Sequence, residues 1–333
     1  MTASAERQAA QARARSAGGG RLPDFLIVGH HKSGTTALYE MLRRHPQVFM
    51  PELKEPRYFA TDLRRRAGPR VEWLPETLEE YTALFAGAAE EQKAGEASPL
   101  YLVSHTAAGA IAEVQPKARI IAILREPAGF LRSLHMEFLQ NYIEDQPDLR
   151  RALALEPERR EGRSMPKRFH MPQMLMYSDH VSYVEQLRRY HAVFPREQVL
   201  VLIYDDFRAD NDATVRRVQR FLEVDDSLPL QTVEANPSVR VRSVRLNETL
   251  RSLYYGRGPG WRTLKRAVKA TTPRRLRRGA LAGVHRRFVY GGTEQTDEPL
   301  MTDLRRRFAG EVGALSEYLG RDLVALWGYD RLD

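Results

Sequence analysis

The sequence predicts an α/β fold whose mostly parallel central sheet is covered by helices on both faces. Three observations carry this expectation. Short apolar runs read as strands buried on both sides: Asp24–Val28, Arg119–Leu124 and Val199–Tyr204. Each run is followed by residues with helical spacing or a helix-start signal. Helices between the strands supply the crossovers that parallel pairing requires.

The elements follow in order. Phe25–Val28 is apolar and closes on Gly29, so it reads as a buried strand. A helix starts at Thr35 or Thr36, continues through Leu38, Met41 and Leu42, and stops before Pro46. Val48–Met50 makes a short strand, and residues 76–86 a helix ending at Gly87. Residues 95–103, GEASPLYLV, pass from a turn into an extended piece, and 106–114 are helical. Arg119–Leu124, RIIAIL, is the clearest strand, and Pro127 fits the first turn of the next helix, which runs to about Asn141. Residues 142–173 are polar and punctuated by prolines, a long excursion of the kind found near sites. Helical spacing returns at 174–194, a strand at 199–204 and a helix at 211–223. From 224 onward helices and loops are expected. One domain over 24–330 is predicted, preceded by a disordered basic tail, 1–23.

The 333 residues suffice for a large core, and none is cysteine, which excludes disulfides and thiolate metal sites and fits a reducing compartment. No apolar run approaches the length of a membrane helix, so a cytoplasmic location is expected. The net charge of +9 is concentrated: eleven of the 52 Lys/Arg fall in 257–287 with no acidic residue, against 41 basic and 43 acidic residues elsewhere. That segment reads as either a pair of solvated helices or a local contact to an anionic partner. In an amphipathic helix Trp261, Leu264 and Val268 share a face with Lys265, Arg266 and Lys269 mostly off it, which suits core packing or a peripheral contact with anionic membrane. No aromatic interleaving supports nucleic-acid binding.

Residues 29–36, GHHKSGTT, lead from the first strand into a helix. The first N–H groups of a helix lack internal partners and lie at the positive end of its dipole, so this turn is suited to an anion. Gly29 and Gly34 keep the spacing of a nucleotide-triphosphatase loop, but Thr35 stands where the lysine of that motif belongs and Lys32 comes two residues before Gly34. A second feature lies further on. Arg125 follows the strand RIIAIL and Ser133 comes eight residues later on the next helix, a pair that could grip one phosphate or serve only as surface residues.

With both stretches in view, VGHHKSGTTAL and LREPAGFLRS resemble the two donor-binding motifs of sulfotransferases that use 3′-phosphoadenosine 5′-phosphosulfate. KEPRYF at 54–59 resembles the KEPxFF segment of the carbohydrate, heparan-sulfate-like branch, and GEASPLYL at 95–102 its substrate-side segment. The span VSYVEQLRRYHAVFPREQVLVLIYDDFRAD and the closing LGRDLVALWGYD are similar to bacterial members. The resemblance implies a P-loop-like three-layer fold with a helical C-terminal extension. It gives the 5′ phosphosulfate to Lys32, Ser33, Gly34, Thr35 and Thr36, and the 3′-phosphate to Arg125 and Ser133. A third donor element is expected near NPSVRVRS, through Arg240, Arg242 or Ser243, with 257–287 as the alternative.

In sulfuryl transfer an acceptor oxygen attacks sulfur in line while charge builds on the departing phosphate oxygen, so a lysine and loop N–H groups aimed there stabilise the transition state. That role falls to Lys32. Fixed cations leave no need for a metal, and the adjacent His30 and His31 lack a ligand pattern, although His31 is placed to contact the donor. Glu55 matches the branch's catalytic base; His105, 20 residues before Arg125, is the alternative, near where the small-molecule branch places its histidine. Glu96, Ser98 and Tyr101 are candidate acceptor contacts. Ala97 stands where heparan-type relatives often carry lysine, which departs from a heparan-like acceptor site. The expected acceptor is a hydroxyl, or an amine, of a carbohydrate, glycolipid or small natural product. The competing readings are a P-loop kinase and a non-catalytic protein that binds anionic membranes through 257–287.

Overall fold

The computed structural model describes residues 20–63, 74–166, 169, 171–228, 240–241, 290–291 and 297–332. Its centre is a five-stranded sheet in the order β2-β3-β1-β4-β5, with every pairing parallel. The strands are β1 (Phe25–Gly29), β2 (Val48–Phe49), β3 (Lys93–Ala97), β4 (Arg119–Leu124) and β5 (Val199–Ile203). The α/β class with a parallel sheet is therefore the observed one.

Helices alternate with these strands: α1 (Thr35–Leu42), α2 (Leu78–Ala83), α3 (Leu100–Val103), α4 (Ala107–Val114), α5 (Pro127–Asn141), α6 (Leu149–Ala154), α7 (Glu156–Arg160), α8 (Tyr177–His180), α9 (Tyr183–His191), α10 (Tyr204–Ala209), α11 (Asn211–Leu222), α12 (Glu298–Leu319) and α13 (Leu323–Leu326). Local chemistry sets several ends. The Thr77 side chain accepts from the Glu80 N–H while Glu80 reaches back to Thr77, a capping box that starts α2. The Asp210 carboxylate accepts from the Ala213 N–H and starts α11. One core cluster runs through the sheet and its covering helices, with Phe25 and Ile27 of β1, Leu38 and Met41 of α1, Ile121 and Ile123 of β4, and Val218 and Leu222 of α11 all buried.

The stretch 95–103 differs from its expectation. Residues 93–97 form the strand, and 100–103 form a helix instead of an extended piece. Gly95 misleads because glycine usually marks a turn. Here it pairs in register with Phe25, and a Cβ would come within 2.1 Å of the Phe25 ring, so the glycine serves close approach inside a strand. Val48–Phe49 is shorter than expected by one residue.

The chain divides into two compact units. The first comprises 1–130, 178–236 and 304–333, and it holds the whole five-stranded sheet; the second comprises 131–177 and 237–303. Within the second, the excursion after α5 is more regular than its composition suggests, because α6 and α7 occupy part of it. A buried ion pair organises it: Arg159 donates to both oxygens of Glu144 at 2.7 and 2.8 Å, and both side chains are fully buried. Tyr177 donates to the same carboxylate at 3.1 Å and meets His135 at 2.8 Å. The second unit also carries a two-stranded antiparallel ladder, β6 (Arg240–Val241) with β7 (Tyr290–Gly291).

Of the expected tail 1–23, residues 1–19 lie outside the described residues. Residue 21 is already tied to the fold, since Arg21 donates to Asp24 at 2.8 Å and to the carbonyl of Ala89 at 2.6 Å. No helix among the described residues is long and apolar enough to cross a membrane.

Candidate active site

Because all five strands run in one direction, their C-terminal ends share one edge of the sheet, where ligands bind in open α/β folds. That edge carries the turn after β1, Ala97 at the end of β3, Arg125 after β4 and Tyr204 after β5.

The turn is tightly shaped. Lys32 has φ 57° and Gly34 φ 85°, both left-handed. Gly34 stands at the N-cap of α1 and offers no side-chain cap, so the first N–H groups of α1 are left to an outside partner. A Cβ at Gly34 would meet the Phe207 ring at 2.9 Å, which explains the glycine twice over. Thr35 and Ser33 are buried, Lys32 and Gly34 half-buried and Thr36 exposed. The Ser33 hydroxyl donates to the His31 carbonyl at 3.2 Å.

His30 forms the floor of the turn. Its N–H donates to the Ile123 carbonyl at 2.7 Å, and its ring lies between Phe130 and Tyr183 at 4.9 and 5.2 Å. The Gln186 amide donates from Nε2 to the carbonyls of Asp179 and His180, which turns its Oε1 toward His30 Nε2 at 2.7 Å. His30 is therefore the Nε2–H tautomer. Burial drives its pKa down to about 3, so the ring is neutral.

Arg125 reaches the turn. Its Nη1 donates to the Lys32 carbonyl at 2.8 Å, its guanidinium lies 4.8 Å from the Tyr204 ring centre, and its own carbonyl accepts from the Tyr183 hydroxyl at 2.8 Å. Glu126 beside it accepts from the Tyr329 hydroxyl at 2.8 Å. Ser133 is buried on α5, past the start of the second unit.

Glu55 docks on the end of β3, its N–H donating to the Ala97 carbonyl at 3.1 Å. Its carboxylate pairs with Lys54 at 2.7 Å and with Arg57. Burial presses the Glu55 carboxyl upward, but His31, Lys54 and Arg57 outweigh it and bring its pKa down to about 2. Glu55 thus shares an electrostatic environment with the turn after β1 through His31. His105 is exposed, and its N–H is held by Asp62 at 2.8 Å.

Glu96, Ser98 and Tyr101 are fully buried. Their polar atoms face one another and the 57–59 backbone, so they lie beneath the Glu55 segment and not on an open surface. Of the third donor element, only the backbone of Arg240 is described; Arg242, Ser243 and the segment 257–287 lie outside the described residues. No cluster of three or more His, Asp or Glu suited to a metal occurs among the described residues.

Four contributors escape a linear reading: Gln186 on His30, Tyr204 under Arg125, Phe207 against Gly34, and Arg57 on Glu55. The aromatics that follow β5, Tyr204 and Phe207 in VLVLIYDDF, are the one local signal, since they stand at the C-terminal edge of the sheet.

The family model described as the sulfotransferase domain matches residues 22–244. A solved sulfotransferase from Alicyclobacillus acidocaldarius superposes with a TM-score of 0.66 at 26% identity, covering 92% of this chain and 99% of that one. A membrane-associated sulfotransferase of Dictyostelium discoideum is 36% identical over 107 residues, 32% of this chain and 21% of its own length. The mouse heparan sulfate glucosamine 3-O-sulfotransferase 3A1 is 26% identical over 205 residues, 62% of this chain and 47% of its own length. The chain thus spans between about a fifth and a half of the relatives it matches. A sulfotransferase-domain match over most of the chain makes this protein a member of the sulfotransferase domain family.

Proposed function

We propose that this sulfotransferase moves a sulfuryl group from 3′-phosphoadenosine 5′-phosphosulfate to a hydroxyl, or an amine, of a carbohydrate, glycolipid or small natural product. The observation that carries the donor reading is the junction of the turn 29–36 with Arg125, which brings two anion-binding stretches 93 residues apart into hydrogen-bond contact. A donor with phosphates at both ends of an adenosine needs two such grips. The uncapped N–H groups of α1 and the Lys32 ammonium suit the phosphosulfate. The Arg125 guanidinium, with one of its five N–H donors engaged on Lys32, suits the 3′-phosphate. Ser133 joins Arg125 by the motif spacing, and Arg240, Arg242 or Ser243 by sequence position.

In the transfer, Glu55 accepts the acceptor's proton as the acceptor oxygen bonds to sulfur, and the bond from sulfur to the bridging phosphate oxygen breaks. Lys32 steadies the charge that develops on that oxygen. Glu55 is favoured over His105 because it docks on the C-terminal end of β3, the strand next to β1, and shares the field of His31. Its carboxyl, at about 2, is ionised at every physiological pH, so it is always in the accepting form. A carboxylate that acidic is a weak base in the resting site; neutralisation of its cationic neighbours by a bound donor raises its basicity. Heparan sulfate and carbohydrate sulfotransferases among the relatives support a glycan acceptor.

The kinase reading is disfavoured because Thr35 stands where its lysine belongs. Isothermal titration with adenosine 3′,5′-bisphosphate at neutral pH tests the donor reading. Saturable one-to-one binding without added metal is expected, and absence of binding overturns it. Release of the bisphosphate from the donor over a panel of glycans, glycolipids and phenols then identifies the acceptor class.

A further inference from the structure

Glu96 lies fully buried on β3, the strand beside β1, and its carboxylate gathers three hydroxyl groups. Tyr81 donates to Oε1 at 3.1 Å and Ser98 to Oε2 at 2.8 Å, and the Tyr101 hydroxyl lies near enough to the carboxylate to pull its pKa down. Two of these hydroxyls have a second task. Ser98 Oγ accepts the Arg57 N–H at 3.1 Å, and the Tyr101 hydroxyl accepts the Phe59 N–H at 3.4 Å. Ser98 therefore accepts a hydrogen bond from an amide while donating its own O–H to Glu96, and the Tyr101 hydroxyl holds an amide beside the same carboxylate. The backbone they hold is unusual: Glu55 and Arg57 both sit at left-handed φ, 61° and 55°. Non-glycine residues adopt that conformation only when the surroundings enforce it.

We propose that Glu96 is a positioning residue for the transfer: acting through the hydroxyls of Ser98 and Tyr101, its carboxylate fixes the backbone of residues 57–59 and so the place from which Glu55 takes the acceptor's proton. The consequence for catalysis rests on Glu55 as base, whereas the two relays stand on the geometry alone. Hydrogen bonds to an ionised acceptor are about twice as strong as those to a neutral one, so the grip depends on the charge of Glu96. Burial lifts its carboxyl to about 7 while the three hydroxyls pull the other way. The groups facing it are Tyr81 from α2, Tyr101 from α3, Ser98, Tyr190 from α9 and Glu55, which itself faces His31, Lys54 and Arg57. The three phenols are pushed well above their ordinary value by burial, and Glu55 is held at about 2, so across mildly acidic to mildly alkaline pH the group that changes charge in direct contact with the relays is Glu96.

Hydrogen–deuterium exchange on the full chain tests this, following the amides of 55–59 across pH 5.5–8.5 after correction for intrinsic rates. The wild type is expected to gain protection as pH rises through neutrality, and Glu96→Gln to lose about tenfold of it and to show no step. Wild-type protection and an unchanged pH step in Glu96→Gln would overturn the proposal, leaving the aromatic packing of Tyr58 and Phe59 on Tyr81 to hold the segment. Should Glu96→Gln fail to fold, Ser98→Ala and Tyr101→Phe each remove one relay. Selective loss of protection at Arg57 and at Phe59 supports the relays, and no loss in either sinks them. Donor turnover in Glu55→Gln is read separately: unchanged turnover discards Glu55 as base but leaves the exchange result intact.

Discussion

The Arg125 guanidinium donates to the carbonyl oxygen of Lys32 at 2.8 Å while lying over the Tyr204 ring at 4.8 Å. One side chain thus joins the end of β4 to the turn after β1 and rests on the residue that follows β5. Arg125→Lys is expected to weaken adenosine 3′,5′-bisphosphate binding by about tenfold or more, because an ammonium keeps the charge but loses the planar fork and the ring contact. Calorimetry measures it, and wild-type affinity in Arg125→Lys would remove Arg125 from the donor site.

Lys32→Ala should lower donor turnover by about 10²–10³-fold, the loss typical of one group that stabilises transition-state charge. The fold should survive, since Lys32 is half-buried and the turn is held through its backbone. Turnover compared with the melting temperature separates the two effects; near-normal turnover excludes the role.

Gly34→Ala places a Cβ at φ 85° and within 2.9 Å of Phe207. A left-handed L-residue costs about 1–2 kcal/mol before the clash is counted, so both stability and bisphosphate affinity should fall. Chemical denaturation and calorimetry on one preparation check this, and an unchanged denaturation midpoint would contradict the geometry.

Two carboxyls give stability opposite pH dependences. Glu55 is depressed to about 2, so its contribution is present above its ordinary value near 4.5 and is lost as pH falls toward 2. Glu96 is raised to about 7, so its contribution is present below about 4.5 and is lost as pH rises through 7. Glu96→Gln, which cannot ionise, should therefore compare more favourably with wild type at pH 8.5 than at pH 5. Thermal midpoints across that range decide it; a constant difference would place the Glu96 carboxyl at its ordinary value.

In the second unit, Arg159→Ala leaves the Glu144 charge buried without its bidentate partner, and a loss of about 3–5 kcal/mol is expected. Replacing both residues by apolar groups of similar volume should cost much less, because the uncompensated charge is then absent. Urea denaturation of the single and double variants distinguishes a strained pair from a spectator.

Much of the fold was legible because its signals are local. A strand buried on both faces is apolar throughout, as FLIVG and RIIAIL are, whatever it packs against. The turn 29–36 and the helix that follows it were legible for the same reason, since a turn and a helix start are written in adjacent residues. Gly95 was misread because glycine in a turn and glycine under a neighbour's ring look alike in one dimension, and only the pairing with Phe25 separates them. Glu96, Ser98 and Tyr101 were read as candidate acceptor contacts and are instead buried among one another and the 57–59 backbone, because their partners Tyr81, Arg57 and Phe59 come from other elements.

By itself, then, the sequence determined the parallel α/β sheet, the glycine-bearing turn after its first strand and the residue types at its edge, all products of short-range periodicity and turn chemistry. Tertiary structure alone decided that Arg125 clasps Lys32, that cationic neighbours hold the Glu55 carboxyl low and that burial pushes the Glu96 carboxyl up. Hydrogen bonds and desolvation depend on which atoms meet across the fold, and residues far apart in the chain carry no mark of that meeting until it is folded.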